Sequence, residues 1–231
     1  MRDEARREWN YTLRGMDDRQ LLAAAQWACE VNDWQLCINT SERTKVEIDL
    51  LQRYPMPFEH DITAAAQAAG LEPAFVFGLI RQETRFMPQL RSHVGAAGLM
   101  QIMPATAKWT AKKSGIPYSG DQISDPQVNL RLGTFYLKLV LDSFGSSAPM
   151  AAAAYNAGPA RPHRWRGGLM LDPAVWTENV PFYETRDYVK KVMTNAAVYA
   201  AIQSGGSPLL RPRLGPQIGP RDAEQPTQDI P

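Results

Sequence analysis

RQETRFMPQLRSHVGAAGLMQIMPATA, residues 81–107, is the stretch from which the fold of this chain can be worked out. Just before it, Glu72-Pro73 is typical of the first turn of a helix. Three apolar residues and one acid then recur at helical spacing on one face: Val76, Leu79, Ile80 and Glu83. Because Pro88 limits the helix, Glu83 lies near its carbonyl end, where the helix dipole and desolvation both disfavour a carboxylate. We therefore predict a raised pKa for Glu83, which suits a general acid acting on a glycosidic bond.

A glutamate on a helix is more often a solvated surface residue, and the segment that follows decides between the two interpretations. Residues 95–101 (GAAGLMQ) are poor helix formers at their glycines and carry little side-chain bulk, so a ligand can approach the backbone there. Met100 offers an adaptable apolar wall and Gln101 offers amide donors and acceptors. The segment lacks the lysine of a phosphate-binding loop. We therefore expect a polar ligand beside Glu83.

Four sequence blocks resemble the signature of lytic transglycosylases, and they occur in that family's order. They are residues 83–88 (ETRFMP), 92–107 (SHVGAAGLMQIMPATA), 154–159 (AYNAGP) and 180–190 (VPFYETRDYVK). The last block, and the run from Arg43 to Pro57, are most similar to the soluble periplasmic murein transglycosylases. The resemblance extends from about Glu8 to Gln203. Thr84 stands where the family usually has serine, which keeps the hydroxyl.

The resemblance implies a mainly α fold: a lysozyme-like helical catalytic domain, with at most a very small β-sheet near the glycine-rich turn. It also implies an exotransglycosylase-type lyase that cleaves the β-1,4 bond between N-acetylmuramic acid and N-acetylglucosamine. Glu83 is then the sole general acid and later the base, and the product is a 1,6-anhydro sugar. No metal or organic cofactor is expected. The sequence does not decide whether cleavage occurs at the ends of glycan strands or within them.

The resemblance further implies which residues bind the substrate. They are Ser92, Gly98, Leu99, Met100, Gln101, Tyr155, Asn156, Glu184 and Arg186. Without it, Tyr155 would be interpreted as a core aromatic, Asn156 as a helix cap and Glu184 as a cap or salt bridge. The expected partners are peptidoglycan glycan strands and stem peptides, and proteins of cell-wall synthesis or remodelling.

Breaks in the helical pattern divide the chain into three parts. Residues 1–54 are expected to form a helical linker or the end of a superhelical domain, and 55–205 the catalytic domain, because prolines in segment 54–58 favour extended backbone. Helices are predicted over about 61–69, 72–84, 104–114, 125–142 and 150–157, and from Pro181 onward, with an irregular region from 161 to 179. Residues 206–231 are rich in Gly and Pro and are expected to be a disordered tail.

Two cysteines lie in the first part, which should contain helices over 3–14 and 17–31 and a third from Asp33 to near Thr44. Cys29 falls at the end of the second of these and Cys37 early in the third. An antiparallel pair could bridge them by a disulfide, or they could be two buried thiols, and spacing alone leaves both alternatives open.

Composition is that of an ordinary globular protein, with 231 residues, 44% hydrophobic and 21% charged. A net charge of +1 predicts no bulk attraction to nucleic acid. No apolar run approaches membrane-spanning length, and the charged residues 1–10 do not form a signal peptide. Since the resemblance implies a periplasmic enzyme, we expect this chain to be the C-terminal portion of a longer precursor, or to be numbered without its export signal.

Two other functions remain open from the sequence. The first is a hydrolase on the same fold, similar to goose-type lysozyme, which would need an aspartate such as Asp121 or Asp125 to activate water. The second is a non-catalytic module that binds murein and recruits assembly partners. An intact Glu83 argues against the second.

Overall fold

The chain divides into two units in the structure, a computed structural model that describes residues 2–220 and 230–231, with side chains from Glu4 onward. One unit contains the chain up to Pro57 together with Arg85–Met87. The other contains Phe58–Thr84 and the chain from Pro88 on. The division falls within the proline-containing segment 54–58, where the helical pattern of the sequence is interrupted.

The first unit is built from four helices, α1 (Arg2–Thr12), α2 (Asp18–Glu30), α3 (Trp34–Ser41) and α4 (Leu50–Arg53). Asp17 and Gln20 form a reciprocal capping box at the start of α2. A disulfide joins Cys29 and Cys37, whose Cα atoms are 5.0 Å apart. Of the two alternatives left by the spacing, the structure contains the disulfide.

The second unit carries the candidate site and is also helical. Its helices are α5 (Glu59–Ala68), α6 (Pro73–Thr84), α7 (Pro104–Ser114), α8 (Pro126–Ser143), α9 (Ala148–Ala157), α10 (Ala160–Trp165), α11 (Pro173–Glu178), α12 (Tyr183–Ser204) and α13 (Arg211–Leu214), with a 3₁₀ turn over Gly120–Ser124. Pro73, Pro104 and Pro126 each begin a helix, as the sequence predicts, because proline lacks the N–H that is unsatisfied there in any case.

Helix α6 is the core of this unit and packs most extensively against α12. Gly78 makes the close approach possible: a Cβ at this position would lie 2.7 Å from the backbone nitrogen of Ala196. Gly78 contacts α12 near Ala196, and Glu83 contacts it at Tyr188, so the two helices run antiparallel. This packing places the C-terminal turn of α6 beside the N-terminal turns of α12.

Helices α8 and α9 contribute a further large part of the core. Residues 151–154 are four alanines with no exposed surface, and their small side chains let α9 pack closely between its neighbours α8 and α12. Helix α8 buries most of its circumference, as its apolar sequence predicts.

The described part of the chain contains isolated β-bridges and no strand. Arg91–Ala97 and Ala97–Ile102 form two of these bridges across the glycine-rich segment. A mainly helical fold with at most a trace of β structure is therefore confirmed. None of the helices in the described ranges is long and apolar enough to cross a membrane.

Two regions are more ordered than the sequence predicts. The stretch 161–179, expected to be irregular, contains α10 and α11, the latter capped by Asp172. Of the expected disordered tail, residues 206–220 contain α13, and the buried Ile218 pairs with Leu171. That expectation was wrong for these residues, because a helix of four residues and one pair of bridging residues leave no periodic pattern in the sequence. Residues 221–229 lie outside the described residues.

Candidate active site

Glu83 is the last residue but one of α6, which ends at Thr84. Immediately afterwards Arg85 and Phe86 both adopt left-handed backbone conformations, with φ of 48° and 63°. Such values are uncommon for residues other than glycine, so the chain turns sharply at this point. The helix thus ends four residues before Pro88, the residue that the sequence predicts would limit it.

The carboxyl group of Glu83 is partly buried and has one short hydrogen bond. The hydroxyl of Tyr188 on α12 donates to its Oε1 at 2.5 Å. Burial raises the pKa of Glu83 to about 7, the Tyr188 hydrogen bond opposes this rise, and the negative charge of Glu184 adds to it. The raised pKa agrees with the sequence prediction, and its main physical cause is desolvation. At neutral pH this carboxyl can both give and take a proton.

The glycine-rich turn is attached to its neighbouring helices through main-chain carbonyls. The hydroxyl of Thr84 donates to the carbonyl of Leu99 at 3.0 Å, and the hydroxyl of Tyr155 donates to that of Met100 at 2.8 Å. Leu99 and Met100 are 0% exposed. Both side chains pack in the core, whereas the sequence predicts that Met100 offers an apolar wall to a ligand. Substrate binding by Leu99 and Met100 stays a prediction. Only their backbone carbonyls face the Thr84 and Tyr155 hydroxyls.

Asn129 on α8 holds the other side of this turn. Its Oδ1 accepts from the backbone nitrogen of Met100 at 2.8 Å, and its Nδ2 donates to the carbonyls of Ala97 and Ile123 at 3.0 and 2.7 Å. A Cβ on Gly98 would lie 2.2 Å from that Nδ2. Gly98 is thus required by close packing against a buried amide, whereas the sequence predicts that its lack of a side chain leaves room for a ligand.

Ser92 and Gln101 shape the ends of the turn. The hydroxyl of Ser92 accepts from the backbone nitrogen of Ala96 at 3.0 Å. The amide of Gln101 donates to the carbonyls of Leu90 and Gly98, both at 2.9 Å. Both side chains remain partly exposed. Their observed hydrogen bonds are therefore structural, and a role in substrate binding stays a prediction.

Tyr155 and Asn156 lie together at the C-terminal end of α9, and both are partly exposed. Burial raises the pKa of Tyr155 well above its ordinary value, and the charge of Glu83 raises it further. The hydroxyl of Thr185 donates to Oδ1 of Asn156 at 2.7 Å. The structure thus brings Tyr155 into the electrostatic environment of Glu83 and ties Asn156 to the start of α12.

Glu184 is exposed on the first turn of α12, and Arg186 is partly exposed one residue beyond Thr185. Glu184, Asn156, Arg161 and Phe182 line a pocket of about 440 Å³. The guanidinium of Arg161 lies over the Phe182 ring, 5.1 Å from its centroid. Nε of Arg186 donates to the carbonyl of Val180 at 3.1 Å, so this side chain supports the entry to the helix.

Two polar residues of the site have no role assigned from the sequence. Tyr188 lies within the block 180–190, and Asn129 lies within the helix predicted over 125–142. Both are hydrogen-bonding side chains at positions where the helical period predicts burial, and a buried polar group needs a partner. A polar side chain at a position predicted to be buried therefore indicates a hydrogen bond, although the sequence does not identify the partner.

Two protein families match parts of this chain. Residues 61–169 match the family described as the transglycosylase SLT domain, and residues 179–208 match the soluble lytic transglycosylase helical domain. The chain carries a transglycosylase SLT domain. The SLT domain thus includes α6, the glycine-rich turn, α8 and α9, and the second match falls on α12. The resemblance predicted from the sequence is thus confirmed at the level of this domain family.

Relatives of the SLT domain are found among both sequences and solved structures. The soluble lytic murein transglycosylases of Salmonella typhimurium and Escherichia coli K12 are each 35% identical over 199 residues, which cover 84% of this chain and 31% of theirs. Lytic transglycosylase Slt of Pseudomonas aeruginosa, solved as an inactive mutant with glutamine in place of a glutamate, has a TM-score of 0.84 and 37% identity, over 93% of this chain and 35% of that one. The 70 kDa soluble lytic transglycosylase of Escherichia coli has a TM-score of 0.81 and 32% identity, and the match covers 93% of this chain and 36% of that one. The chain spans about a third of the length of these relatives.

Proposed function

We propose that this chain cleaves the glycan strands of peptidoglycan as a lytic transglycosylase, with Glu83 acting first as general acid and then as general base. The substrate bond is the β-1,4 linkage between N-acetylmuramic acid and N-acetylglucosamine. The observation that carries the proposal is the environment of Glu83: one partly buried carboxyl with a pKa of about 7, held by Tyr188 beside a turn that presents backbone carbonyls to Thr84 and Tyr155.

The first step transfers a proton from Glu83 to the glycosidic oxygen. The bond from that oxygen to the anomeric carbon of the muramic acid breaks, and the N-acetyl group of the same sugar stabilises the positive charge that develops. A carboxyl that stays protonated up to about pH 7 can supply this proton at neutral pH. Glu83 is left as a carboxylate that accepts a hydrogen bond from the Tyr188 hydroxyl, and this bond stabilises the new negative charge.

In the second step the Glu83 carboxylate takes the proton of the muramic acid C6 hydroxyl. The C6 oxygen attacks the anomeric carbon of its own ring, which closes a 1,6-anhydro sugar and returns the proton to Glu83. No water is consumed. An attacking group within the same sugar replaces the recruited water of a hydrolase, and it has a high effective concentration.

A hydrolase would need a second carboxylate, and the described candidates differ in how well they fit. Asp125 caps α8 by accepting from the backbone nitrogen of Val128, and Asp121 accepts from the Ser119 hydroxyl, which lowers its pKa. Both are exposed and have structural roles. Of these three, Glu184 is the one whose charge raises the pKa of Glu83, so it is a third candidate for the second carboxylate of a hydrolase.

The pocket beside Glu184 supports contact with the stem peptide. It combines a carboxylate, the Arg161 guanidinium and the 46% exposed ring of Phe182, which together suit a short peptide with charged and apolar groups. Such a substrate also implies action in the periplasm, and the relatives are named soluble lytic murein transglycosylases. Binding of cell-wall synthesis or remodelling proteins remains a proposal from resemblance.

The test is the mass of the products released from purified peptidoglycan. Anhydro-muropeptides, lighter by one water than reducing-end muropeptides, are expected. Reducing-end products would contradict the proposal in favour of a hydrolase, whose second carboxylate would then be sought among Asp121, Asp125 and Glu184. Murein that is bound without any product would contradict it in favour of a binding module.

A further inference from the structure

A buried polar side chain lies in the contact between α6 and α12, away from the hydrogen bond between Tyr188 and Glu83. Asn195 on α12 is 4% exposed. Its Nδ2 donates to the carbonyl of Gly78 at 3.3 Å, and its Oδ1 accepts from Nη1 of Arg81 at 3.2 Å. One side chain of α12 thus binds α6 at two points, and the proposed mechanism gives it no part.

These two hydrogen bonds limit how far α12 can slide along α6. Gly78 and Arg81 are three residues apart, which is about 4.5 Å along a helix axis, and both bonds form only when the amide lies between them. The backbones also pack closely at Gly78, where an added Cβ would lie 2.9 Å from the carbonyl of Val192. Close packing alone has no preferred hydrogen-bonding direction. A buried hydrogen-bonding side chain in such a contact specifies the register of two helices, as a buried asparagine does in coiled coils.

The register matters because the same two helices carry the catalytic hydrogen bond. Tyr188 and Asn195 are spaced at i and i+7, so they lie on the same face of α12. A slip of one residue moves a helix by about 1.5 Å. The bond from Tyr188 to Glu83 is 2.5 Å long, so a slip of that size would break it. Glu184 and Tyr155 also interact electrostatically with Glu83, but of these three groups Tyr188 is the one that donates a hydrogen bond to it.

We propose that Asn195 is a positioning residue for the reaction: it fixes the register of α12 along α6 and thereby holds the Tyr188 hydroxyl against Glu83. This inference rests on the proposed function. Burial of an amide costs free energy unless its polar atoms are hydrogen-bonded, and a leucine of similar size would fill the same space without that cost. The contribution of Asn195 is therefore the alignment of the two helices.

The pKa of the Glu83 carboxyl tests the proposal without requiring cleavage. It is followed by carbon-13 NMR in protein labelled at the glutamate side chains, and the Glu83 resonance is the one missing from Glu83→Gln. Asn195→Leu and Asn195→Ala both remove the two hydrogen bonds, the first with similar bulk and the second without it. Melting temperatures establish that each form is folded.

Met193→Ala is the matched control for a general weakening of α12. Met193 is 3% exposed and lies on the same helix. It lines a cavity of about 240 Å³ together with Thr177 of α11 and Leu214 of α13, so its loss weakens the packing of α12 without removing a hydrogen bond to α6.

Both Asn195 variants should raise the pKa of Glu83, because a displaced Tyr188 hydroxyl no longer stabilises the carboxylate. The rate of anhydro-muropeptide release should fall by about tenfold or more, since small displacements of catalytic groups are costly. In a Tyr188→Phe background, Asn195→Leu should leave the pKa of Glu83 unchanged, because the bond through which Asn195 acts is already lost. Met193→Ala should lower the melting temperature and keep the pKa of the parent chain.

Four results would overturn the proposal. They are an unchanged pKa of Glu83 in the folded Asn195 variants, an equal change in Met193→Ala, a further change when Asn195→Leu is added to Tyr188→Phe, and loss of the fold in both Asn195 variants. The carboxyl is titrated without substrate. A chain that cleaves no murein would therefore contradict the proposed function, whereas these four results concern the alignment of Tyr188 and Glu83.

Discussion

The hydroxyl of Tyr188 donates a hydrogen bond of 2.5 Å to Oε1 of Glu83, across the contact between α12 and α6. This bond stabilises the carboxylate and so lowers the pKa that burial raises. It also fixes the orientation of the carboxyl, because Tyr188 itself is 5% exposed and packed. The acid strength and the position of Glu83 thus both depend on the packing of these two helices.

Replacing Tyr188 by Phe should raise the pKa of Glu83 further and reduce the rate. The variant loses the hydrogen bond that favours the carboxylate but keeps the ring. The rate of anhydro-muropeptide release, measured against pH, should therefore fall on its alkaline side at a higher pH than in the parent chain. An alkaline limb that stays in place or moves to lower pH would contradict the assigned role.

Replacing Glu184 by Gln should move the same alkaline limb to lower pH. The negative charge of Glu184 raises the pKa of Glu83, so its removal makes Glu83 a stronger acid. Asp187→Asn is the matched control, since this carboxylate is on the same helix and pairs with Lys191 at 2.7 Å. We expect activity to persist in Glu184→Gln, whereas complete loss in the folded variant would indicate that Glu184 is a second catalytic carboxylate.

The pKa of Glu83 also predicts how stability depends on pH. Its folded-state value of about 7 lies above the ordinary value of 4.5, so the folded state binds the proton more tightly than the unfolded state. The resulting stabilisation is complete below about pH 4.5 and is lost as the pH rises to about 7. Glu83→Gln lacks this contribution. Its melting temperature relative to the parent chain should therefore increase between about pH 4.5 and 7, and a constant difference would contradict the assignment.

Gly98→Ala should destabilise the protein strongly, because its Cβ would collide with the Asn129 amide and its φ is +78°. Gly95 provides the matched control: its φ is +95°, yet a Cβ there would meet nothing within 4 Å. Gly95→Ala should cost only about 1 kcal/mol for the backbone conformation. Denaturant unfolding of both variants measures the difference, and equal losses would show that the contact with Asn129 contributes nothing.

Local signals in the sequence predict the longer helices of the second unit, from α5 to α9 and α12, but none of the short ones. Pro73, Pro104 and Pro126 mark helix starts, and the apolar period of α6 predicts that Glu83 faces the interior. The partner of Glu83 could not be predicted in this way, because Tyr188 is 105 residues away and only the tertiary packing of α12 brings it there.

The direction of the glycine-rich turn was also beyond local reasoning. Its composition predicts a turn, but the side chains of Leu99 and Met100 point into the core because Asn129 holds the backbone of the turn against α8. A long-range hydrogen bond of this kind is not encoded in any periodic pattern. The short helix α13 was missed for a related reason, since four residues are too few to show a period.

The central claim is that Glu83 supplies both proton transfers. The most direct measurement is the rate at which anhydro-muropeptides are released from purified peptidoglycan by the parent chain and by Glu83→Gln, with murein binding and melting temperature measured on both. Loss of an acid–base group predicts a decrease of about a thousandfold or more, with folding and binding retained. Release at the parent rate by a folded Glu83→Gln variant would contradict the account.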